Sequence, residues 1–132
     1  MNIVVDTSVI IAVITNEPHK ASLVELTRGA DLLAPPSPHW EVGNAFSAML
    51  KQQRIRVDQA LVSLHAYAQI PIRFTDVSLS TALELAQRLG IYAYDAYIIC
   101  CALQHQCALV SLDRGMIQAA TRAGATILEV NV

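Results

Sequence analysis

The hydrophobic residues along the chain form short apolar runs that alternate with longer segments of helical periodicity. The run Asn2–Asp6 is apolar and β-branched without alternation, which is the pattern of a strand buried on both faces of a parallel sheet. Similar runs predict four further strands, at Asp31–Ala34, Ile70–Phe74, Ala108–Leu112 and Thr126–Val130. The chain is therefore predicted to contain a buried sheet.

Apolar residues that recur every three or four positions predict helices between these runs. The segment Ser78–Leu89 shows the clearest stripe, and Gly90 follows it as the expected stop. The other predicted helices are VIIAVIT after a cap at Thr7 or Ser8, His19–Arg28, a helix from Pro38 with Ser37 as its cap, Val57–Ala68, Tyr94–Gln104 and Arg114–Ala123. Tyr94–Gln104 is apolar on nearly all sides, which indicates a helix in the centre. Strands alternating with helices imply an α/β fold with a parallel sheet covered on both faces.

Length and composition are those of one folded domain spanning residues 1–132. Hydrophobic residues make up 54% of the chain and charged residues 15%, so the chain can bury a core and carries too little charge for disorder. No apolar run approaches the ~18 residues of a membrane span. The amino terminus MNIVVD also lacks the features of a secretory signal. The sequence therefore predicts a cytoplasmic protein.

The charge and the cysteine and histidine content limit the kinds of binding site that the chain can form. A formal net charge of −2 does not suit non-specific attraction to phosphates, so a nucleic-acid substrate would need local positive contacts or a metal ion. Cys100, Cys101 and Cys107 form no CxxC pair, and we expect buried thiols rather than a zinc site or a disulfide. The histidines are scattered and have no metal-site spacing.

Four acidic residues stand where predicted elements begin or end. Asp6 ends the first strand and Asp113 follows the strand ALVSL, so both arrive at the carboxyl edge of the sheet, where the functional crevice of open α/β sheets lies. Asp95 opens the central helix, and Glu41 sits in the first turn of the helix after PPSP. Capping explains Asp95 and Asp113 as well, and a solvated first turn explains Glu41. Asp6 has few structural reasons to end a buried strand.

The joint arrangement of these acids points to a bound cation. Clustered carboxylates repel one another in a half-buried crevice unless a cation neutralises them. Oxygen ligands favour Mg²⁺ or Mn²⁺, and incomplete coordination by protein leaves places for water and a phosphate. One or two such ions would stabilise the attacking and leaving oxygens of a phosphodiester displacement. The pattern therefore predicts a metal-dependent site at Asp6, Glu41, Asp95 and Asp113.

Four stretches of the sequence resemble the ordered motifs of PIN-domain ribonucleases, in particular the VapC-type toxins of toxin–antitoxin pairs. They are VVDTSVIIA, PSPHWEVGNAF, AYDAYIICCAL and LVSLDRGM, and the resemblance covers essentially the whole chain. It implies a three-layer α/β/α sandwich and Asp6, Glu41, Asp95 and Asp113 as metal ligands. It also implies RNA cleavage by an activated water with Mg²⁺ or Mn²⁺, a cognate antitoxin that binds in or near the site, and a homodimer.

Four polar residues beside the motif acids are candidates for supporting roles. Ser111 lies two residues before the last acid, where similar PIN domains often carry threonine, and Asn44 lies where they have a polar residue after the glutamate. Thr7 or Ser8 could hydrogen-bond water on the metal. Helix capping explains the hydroxyls of Thr7 and Ser8 equally well.

Five residues near the motifs are candidates for substrate contacts. Arg114, directly after the last motif acid, could steady a phosphate. Lys51 and Arg54 belong to a basic cluster that could grip RNA backbone away from the cut. Trp40 and Tyr94 flank motif acids and could stack an unpaired base. Solvation explains the basic residues as well, and packing in a core or interface explains the aromatic ones.

Three other functions are compatible with the same motifs. A catalytically inactive PIN-like binding module would keep the fold, although retention of all four acids argues against it. An aspartyl-phosphate phosphatase also begins with a strand ending in aspartate, but it usually carries a second acid two residues on, where this chain has Ser8. The same metal site could also cleave DNA. A P-loop NTPase is excluded because the sequence contains no GxxxxGKS.

Overall fold

A computed structural model of the protein describes residues 1–131 and places four parallel strands in one sheet. The strands are β1 (Asn2–Val5), β2 (Asp31–Ala34), β3 (Ile72–Phe74) and β4 (Ala108–Val110). Their order across the sheet is β3-β2-β1-β4, so β1 lies between β2 and β4. Ile3 pairs with Leu32 on one side and with Ala108 on the other. Because all strands are parallel, their carboxyl ends meet at one edge.

Seven helices within residues 1–131 cover the two faces of this sheet. They are α1 (Thr7–Ile14), α2 (Lys20–Leu26), α3 (Ser37–Lys51), α4 (Val57–Ala68), α5 (Leu79–Leu89), α6 (Ala93–Gln104) and α7 (Arg114–Arg122). Alternate residues of β1 divide the helices into two layers, because Ile3 and Val5 pack with α1 to α4 and Val4 packs with α5 to α7. The predicted α/β fold and the three-layer sandwich are confirmed.

Helix α6 is the most apolar helix of its layer and is buried along most of its length, as its sequence predicts. Ile98, Ile99, Cys100 and Cys101 are all buried in the core between the sheet and α5 and α7. The three cysteines are free, and Cys107 is half-buried. No helix within residues 1–131 combines the length and the apolar character that crossing a membrane requires.

The predicted strand at Thr126–Val130 is wrong. Of this segment only Ile127 forms a bridge, which is parallel and pairs with Leu109 of β4. The Leu109 N–H donates to the Thr126 carbonyl at 2.9 Å, and the Leu128 N–H donates back to the Leu109 carbonyl at 3.0 Å. The segment is therefore bonded to β4 through Leu109 alone, which is too little for a strand.

Several predicted boundaries shift for local reasons. The strand predicted at Ile70–Phe74 begins at Ile72, because Pro71 has no N–H to give to a ladder. The strand predicted at Ala108–Leu112 ends at Val110, and the helix predicted at His19–Arg28 covers Lys20–Leu26.

Two predicted helix caps are wrong. Helix α1 is capped by Asp6, whose carboxylate accepts from the Val9 N–H, and not by Thr7 or Ser8. Helix α3 begins at Ser37 itself, which places Pro38 at its second residue. Both helices start one residue or two earlier than the sequence pattern indicated. The cap of α1 therefore depends on a hydrogen bond that the apolar periodicity does not encode, whereas Pro36 precedes α3 without a side-chain capping bond.

Candidate active site

The strand ends bring two aspartates to the same edge of the sheet. Asp6 directly follows β1, and Asp113 lies just beyond β4, which is the strand next to β1. Glu41 reaches this edge from α3, where it is the fifth residue and so lies in the second turn rather than the predicted first turn. Asp95 lies in the first turn of α6. The acids thus come from four separate elements.

Asp6 is the most buried of these carboxylates, with 4% of its surface exposed, and is held by three donors. Its Oδ1 accepts from the Ser8 hydroxyl at 2.6 Å and from the Val9 N–H at 3.2 Å. Its Oδ2 accepts from the Ser111 hydroxyl at 2.5 Å. A carboxylate has about four lone-pair positions, so this network leaves room for roughly one further bond.

The two serines also hold the loop after β4 against the end of β1. The Leu112 N–H donates to the Ser8 hydroxyl at 3.0 Å, and the Asp113 N–H donates to the Ser111 hydroxyl at 3.0 Å. Ser8 and Ser111 therefore connect the two aspartates through a continuous chain of hydrogen bonds. The structure places two of the three predicted hydroxyls, those of Ser8 and Ser111, in contact with Asp6.

Burial raises the pKa of Asp6 above its ordinary value. The hydrogen bonds from Ser111, Ser8 and Val9 oppose this shift because they stabilise the charged form, and the negative charge of Asp113 adds to it. A buried carboxylate with three donors and an acidic neighbour is arranged to receive positive charge.

Burial also raises the pKa values of Glu41 and Asp95. The Thr7 hydroxyl opposes the shift at Glu41, and the charges of Asp95 and Asp6 add to it. The charge of Asp113 raises the pKa of Asp95 further. The charges of Asp6, Asp95 and Asp113 therefore each raise the pKa of at least one other acid of the set.

The donor set fits a hard divalent cation by its chemistry, because it offers carboxylate oxygens and hydroxyls. Within residues 1–131, however, no three His, Cys, Asp or Glu side chains lie close enough together to hold one ion. The acids are near enough for charges within the set to raise the pKa values of Asp6, Glu41 and Asp95, but they do not converge on one point. Mutual repulsion between carboxylates gives a physical reason for this spacing.

A family model described as the PIN domain matches residues 3–122. The chain belongs to the PIN domain family. Proteins of this family are nucleases that generally use divalent metal ions. The resemblance that the four motifs carry is therefore confirmed at the level of the family.

Solved structures with the same fold match this PIN domain over nearly its whole length. VapBC2 from Rickettsia felis, in a crystal structure bound to a DNA fragment from their promoter, is similar with a TM-score of 0.73 at 15% identity, covering 99% of this chain and 100% of that one. PAE2754 from Pyrobaculum aerophilum has a TM-score of 0.65 at 23% identity, covering 96% and 92%. FitAcB from Neisseria gonorrhoeae has a TM-score of 0.57 at 18% identity, covering 96% of each chain. A search of curated proteins finds no match.

Helix capping accounts for Asp113 but not for Asp95. Asp113 does cap α7, because its Oδ1 accepts from the N–H groups of Gly115 at 2.9 Å and Met116 at 3.4 Å. Asp95 makes no such hydrogen bond within the described residues, and Tyr92 occupies the cap position of α6. Asp113 thus has a structural role at the start of α7, whereas the carboxylate of Asp95 near the start of α6 makes no capping hydrogen bond.

The remaining predicted residues fall into two groups, one beside the motif acids and one away from them. Asn44 and Arg114 are exposed, one turn after Glu41 and directly after Asp113, and Trp40 and Tyr94 are exposed beside motif acids. Lys51 and Arg54 lie elsewhere. Lys51 is ten residues beyond Glu41, which is about 15 Å along α3. The structure therefore does not bring the basic cluster to the acids.

Two features of the site were not found from the sequence. Asp6 is a helix cap as well as a strand end, and the signal for it was an aspartate three residues before Val9. His39 shares a 2.9 Å hydrogen bond between its Nδ1 and the Tyr67 hydroxyl, across 28 residues. No local pattern links those two positions.

Proposed function

We propose that this PIN domain is a metal-dependent endoribonuclease that hydrolyses RNA phosphodiester bonds. Asp6, Glu41, Asp95 and Asp113 would hold one or two Mg²⁺ or Mn²⁺ ions. The observation that carries the proposal is that these acids stand at one edge of the sheet, that charges within the set raise the pKa values of Asp6, Glu41 and Asp95, and that Asp6 is held by three donors. A divalent cation there would offset that repulsion, lower the pKa of water and neutralise charge on the phosphate.

Individual residues of the chain would have separate roles in such a site. Asp6 is fixed by Ser8 and Ser111, so its carboxylate is oriented before any ligand arrives. Asp113 is exposed, and its Oδ1 is turned to the start of α7. Arg114 is exposed next to it, where its guanidinium could steady a phosphate.

A protein general base is not needed in this proposal. His39 is the histidine nearest in sequence to a motif acid, and its Nδ1 is engaged with the Tyr67 hydroxyl at 2.9 Å. Proton removal from water would instead depend on the cation and the carboxylates. Thr7, which lies against Glu41, and Asn44, one turn along α3, are candidates to orient water in the site.

We also propose that the protein is the cytoplasmic toxin of a toxin–antitoxin pair and binds a cognate antitoxin. This proposal is supported by the similarity over the whole chain to a protein of VapBC2 and by the similarity to FitAcB. Co-expression with the product of an adjacent small gene, followed by co-purification and an RNA cleavage assay, tests it. Suppression of cleavage by the bound partner is the expected result, and cleavage unaffected by any such partner would contradict it.

A homodimer is part of the same proposal. Leu79 and Leu83 expose most of their side chains on one face of α5, and such apolar surface favours association. Light scattering after size-exclusion chromatography is expected to give twice the mass of the 14.3 kDa chain. A mass of one chain at all accessible concentrations would contradict it.

The nuclease proposal is tested with purified protein, structured RNA and single-stranded DNA, with Mg²⁺ or Mn²⁺ or with a chelator. RNA cleavage is expected only with the ions, and Asp6→Asn is expected to reduce it by more than the roughly 10–100-fold cost of losing an outer-shell partner. Asp31→Asn is the matched control, because Asp31 is an exposed aspartate at the amino end of β2, on the opposite edge of the sheet.

Three outcomes separate the alternatives. Cleavage that survives chelation, or that Asp6→Asn leaves unchanged, contradicts the metal mechanism. Cleavage of DNA in place of RNA assigns the site a different substrate. Binding of Mg²⁺ or Mn²⁺ without cleavage of either nucleic acid favours an inactive binding module.

A further inference from the structure

The connection between α3 and α4 carries three of the nine basic residues of the chain. They are Lys51, the last residue of α3, and Arg54 and Arg56 in the α3–α4 turn, which comprises residues 52–56. All three side chains are exposed. Residues 42–57 contain no Asp or Glu, so this segment is positively charged in a chain whose formal net charge is −2.

Two of these three charges have no acidic partner. The guanidinium of Arg56 donates to both carboxylate oxygens of Asp58, at 3.0 and 3.3 Å. Within the described part of the chain, neither Lys51 nor Arg54 forms an ion pair. The Arg54 guanidinium donates instead to the neutral side-chain oxygen of Gln52, at 3.3 Å. Lys51 and Arg54 therefore keep their positive charge for a ligand.

The backbone of the α3–α4 turn fixes the position of Arg54. The Gln53 N–H donates to the Leu50 carbonyl at 3.1 Å, and the Arg54 N–H donates to the Met49 carbonyl at 2.9 Å. Gln53 is left-handed, with a φ of 57°, so α3 ends in the Schellman motif. This closed turn places Arg54 three residues beyond Lys51 in a defined backbone conformation.

A shallow cleft of about 560 Å³ opens beside these cations. Its lining combines the apolar side chains of Leu50, Ile55 and Val57 with those of Arg54 and Arg56. Small-ligand sites typically have volumes of about 300–1,000 Å³. A guanidinium binds phosphate through its planar fork, and a base can stack on its plane. The cleft therefore suits one nucleotide of a strand whose phosphate meets Lys51 or Arg54.

Helix α3 connects this cleft to the acids as one rigid element. Glu41 and Lys51 are ten residues apart on α3, which is about 15 Å along the helix axis. At 100° per residue, Glu41, Asn44 and Lys51 lie within about 80° of one another around that axis. Asn44 and Lys51 are exposed, so one accessible side of α3 leads from Glu41 to the cations. A stacked strand rises about 3.4 Å per phosphate, so this distance corresponds to roughly four nucleotides.

We propose that Lys51 and Arg54 form a phosphate-binding subsite that grips the RNA backbone roughly four nucleotides from the bond cut at the acids. This inference rests on the proposed nuclease function. A chain with an excess of acidic residues needs local positive contacts to hold a polyanion. Phosphate contacts position a strand and carry no sequence information, so the subsite supplies affinity and register. The accessible side of α3 that joins the cations to Glu41 favours RNA over an acidic protein as the occupant.

The first test is the salt dependence of RNA binding. A labelled, unstructured RNA longer than this spacing is titrated with protein in EDTA at several salt concentrations, and fluorescence anisotropy gives the affinity. In the double variant Lys51→Gln/Arg54→Gln, the slope of log affinity against log salt is expected to become shallower by about 1.4. This change is about 0.7 for each of two phosphate contacts.

Two further double variants serve as controls. Lys20→Gln/Arg28→Gln changes the net charge equally at the two ends of α2 and is expected to keep the wild-type slope. Lys51→Arg/Arg54→Lys keeps both charges at the α3–α4 turn and is also expected to keep that slope. Circular dichroism establishes that each variant is folded.

The second test separates binding at the subsite from chemistry at the acids. With Mg²⁺, Lys51→Gln/Arg54→Gln is expected to raise KM about tenfold and to leave kcat unchanged, because a contact remote from the reacting bond binds ground state and transition state equally. The ratio of the two KM values should approach one for RNAs too short to span the distance between Glu41 and Lys51. A ratio that does not depend on RNA length would contradict the spacing.

The inference fails if wild-type protein does not bind the RNA in EDTA at low salt. It also fails if the folded Lys51→Gln/Arg54→Gln variant keeps the wild-type slope, or if the α2 control makes the slope equally shallow. An unchanged slope together with lost binding of the antitoxin would assign the cations to a protein partner instead. Failure of the nuclease proposal is distinct, because it appears as absent metal-dependent cleavage whatever the slope.

Discussion

The Ser111 hydroxyl donates a 2.5 Å hydrogen bond to Oδ2 of Asp6, across 105 residues of sequence. Ser111 is itself buried, and it also accepts from the Asp113 N–H. One side chain therefore holds the buried acid at the end of β1 and the backbone that presents the acid beyond β4. The predictions below follow from this network.

Ser111→Ala is expected to destabilise the protein by about 1.5–3 kcal/mol, the usual range for a hydrogen bond to a charged group. It is also expected to lower metal affinity and RNA cleavage by roughly 10–100-fold, because Asp6 loses its orientation. Urea unfolding and cleavage assays measure the two effects. Ser111→Thr keeps the hydroxyl and should retain most of both properties. An alanine variant as stable and as active as the threonine variant would contradict this role.

The pH dependence of stability follows from the raised pKa values. Because burial holds the pKa of Asp6 above its unfolded value, ionisation of this carboxylate favours unfolding. The contribution of Asp6 to the stability of the metal-free protein is therefore expected to be fully present below the ordinary carboxyl range, about pH 4, and to be lost as pH rises through the raised pKa. Glu41 and Asp95 shift in the same direction and add to the fall.

Thermal unfolding in EDTA across this pH range measures the effect. In Asp6→Asn the fall is expected to be smaller, since one of the contributing groups no longer ionises. Asp31→Asn should keep the wild-type profile. If Asp6→Asn and wild type show parallel profiles, the burial of Asp6 does not control this titration.

Divalent cations are expected to stabilise the folded chain by mass action. At one hundred times the dissociation constant, Mg²⁺ or Mn²⁺ should add about 2.7 kcal/mol, because the unfolded chain does not assemble the acids. Calorimetric scans with and without the ions give the shift in midpoint, and chelation should reverse it. The shift should persist in Asp31→Asn and shrink in Asp6→Asn. Equal shifts in all three proteins would mean that the ions bind elsewhere.

Two substitutions at Asp113 separate its structural role from its charge. Asp113→Ala removes the cap of α7 and is expected to cost about 1 kcal/mol of stability. Asp113→Asn keeps a good capping side chain and should be close to wild type in stability. Both variants should lose metal-dependent cleavage because both lose the carboxylate. Full activity of Asp113→Asn would restrict Asp113 to capping.

Local sequence patterns correctly predicted those elements whose hydrogen bonds and buried face lie within one short segment. The apolar stripe of Ser78–Leu89 with Gly90 after it predicted α5 to within one residue, because helical hydrogen bonds and one buried face are both local. Gly90 is indeed in the left-handed conformation, at φ 67°. The strand predicted at Thr126–Val130 was wrong because strand pairing is not local, and this segment bonds only to Leu109 of β4.

The sequence by itself determined the α/β class, the apolar centre of α6 and the residues that match the PIN motifs. These features depend on composition and periodicity, which each segment carries alone. Only the tertiary structure decided that Asp6 is bound by Ser111 and that His39 meets Tyr67 and Phe74. Such contacts join positions that are tens of residues apart, and their geometry exists only after strand order and helix packing have brought those positions together.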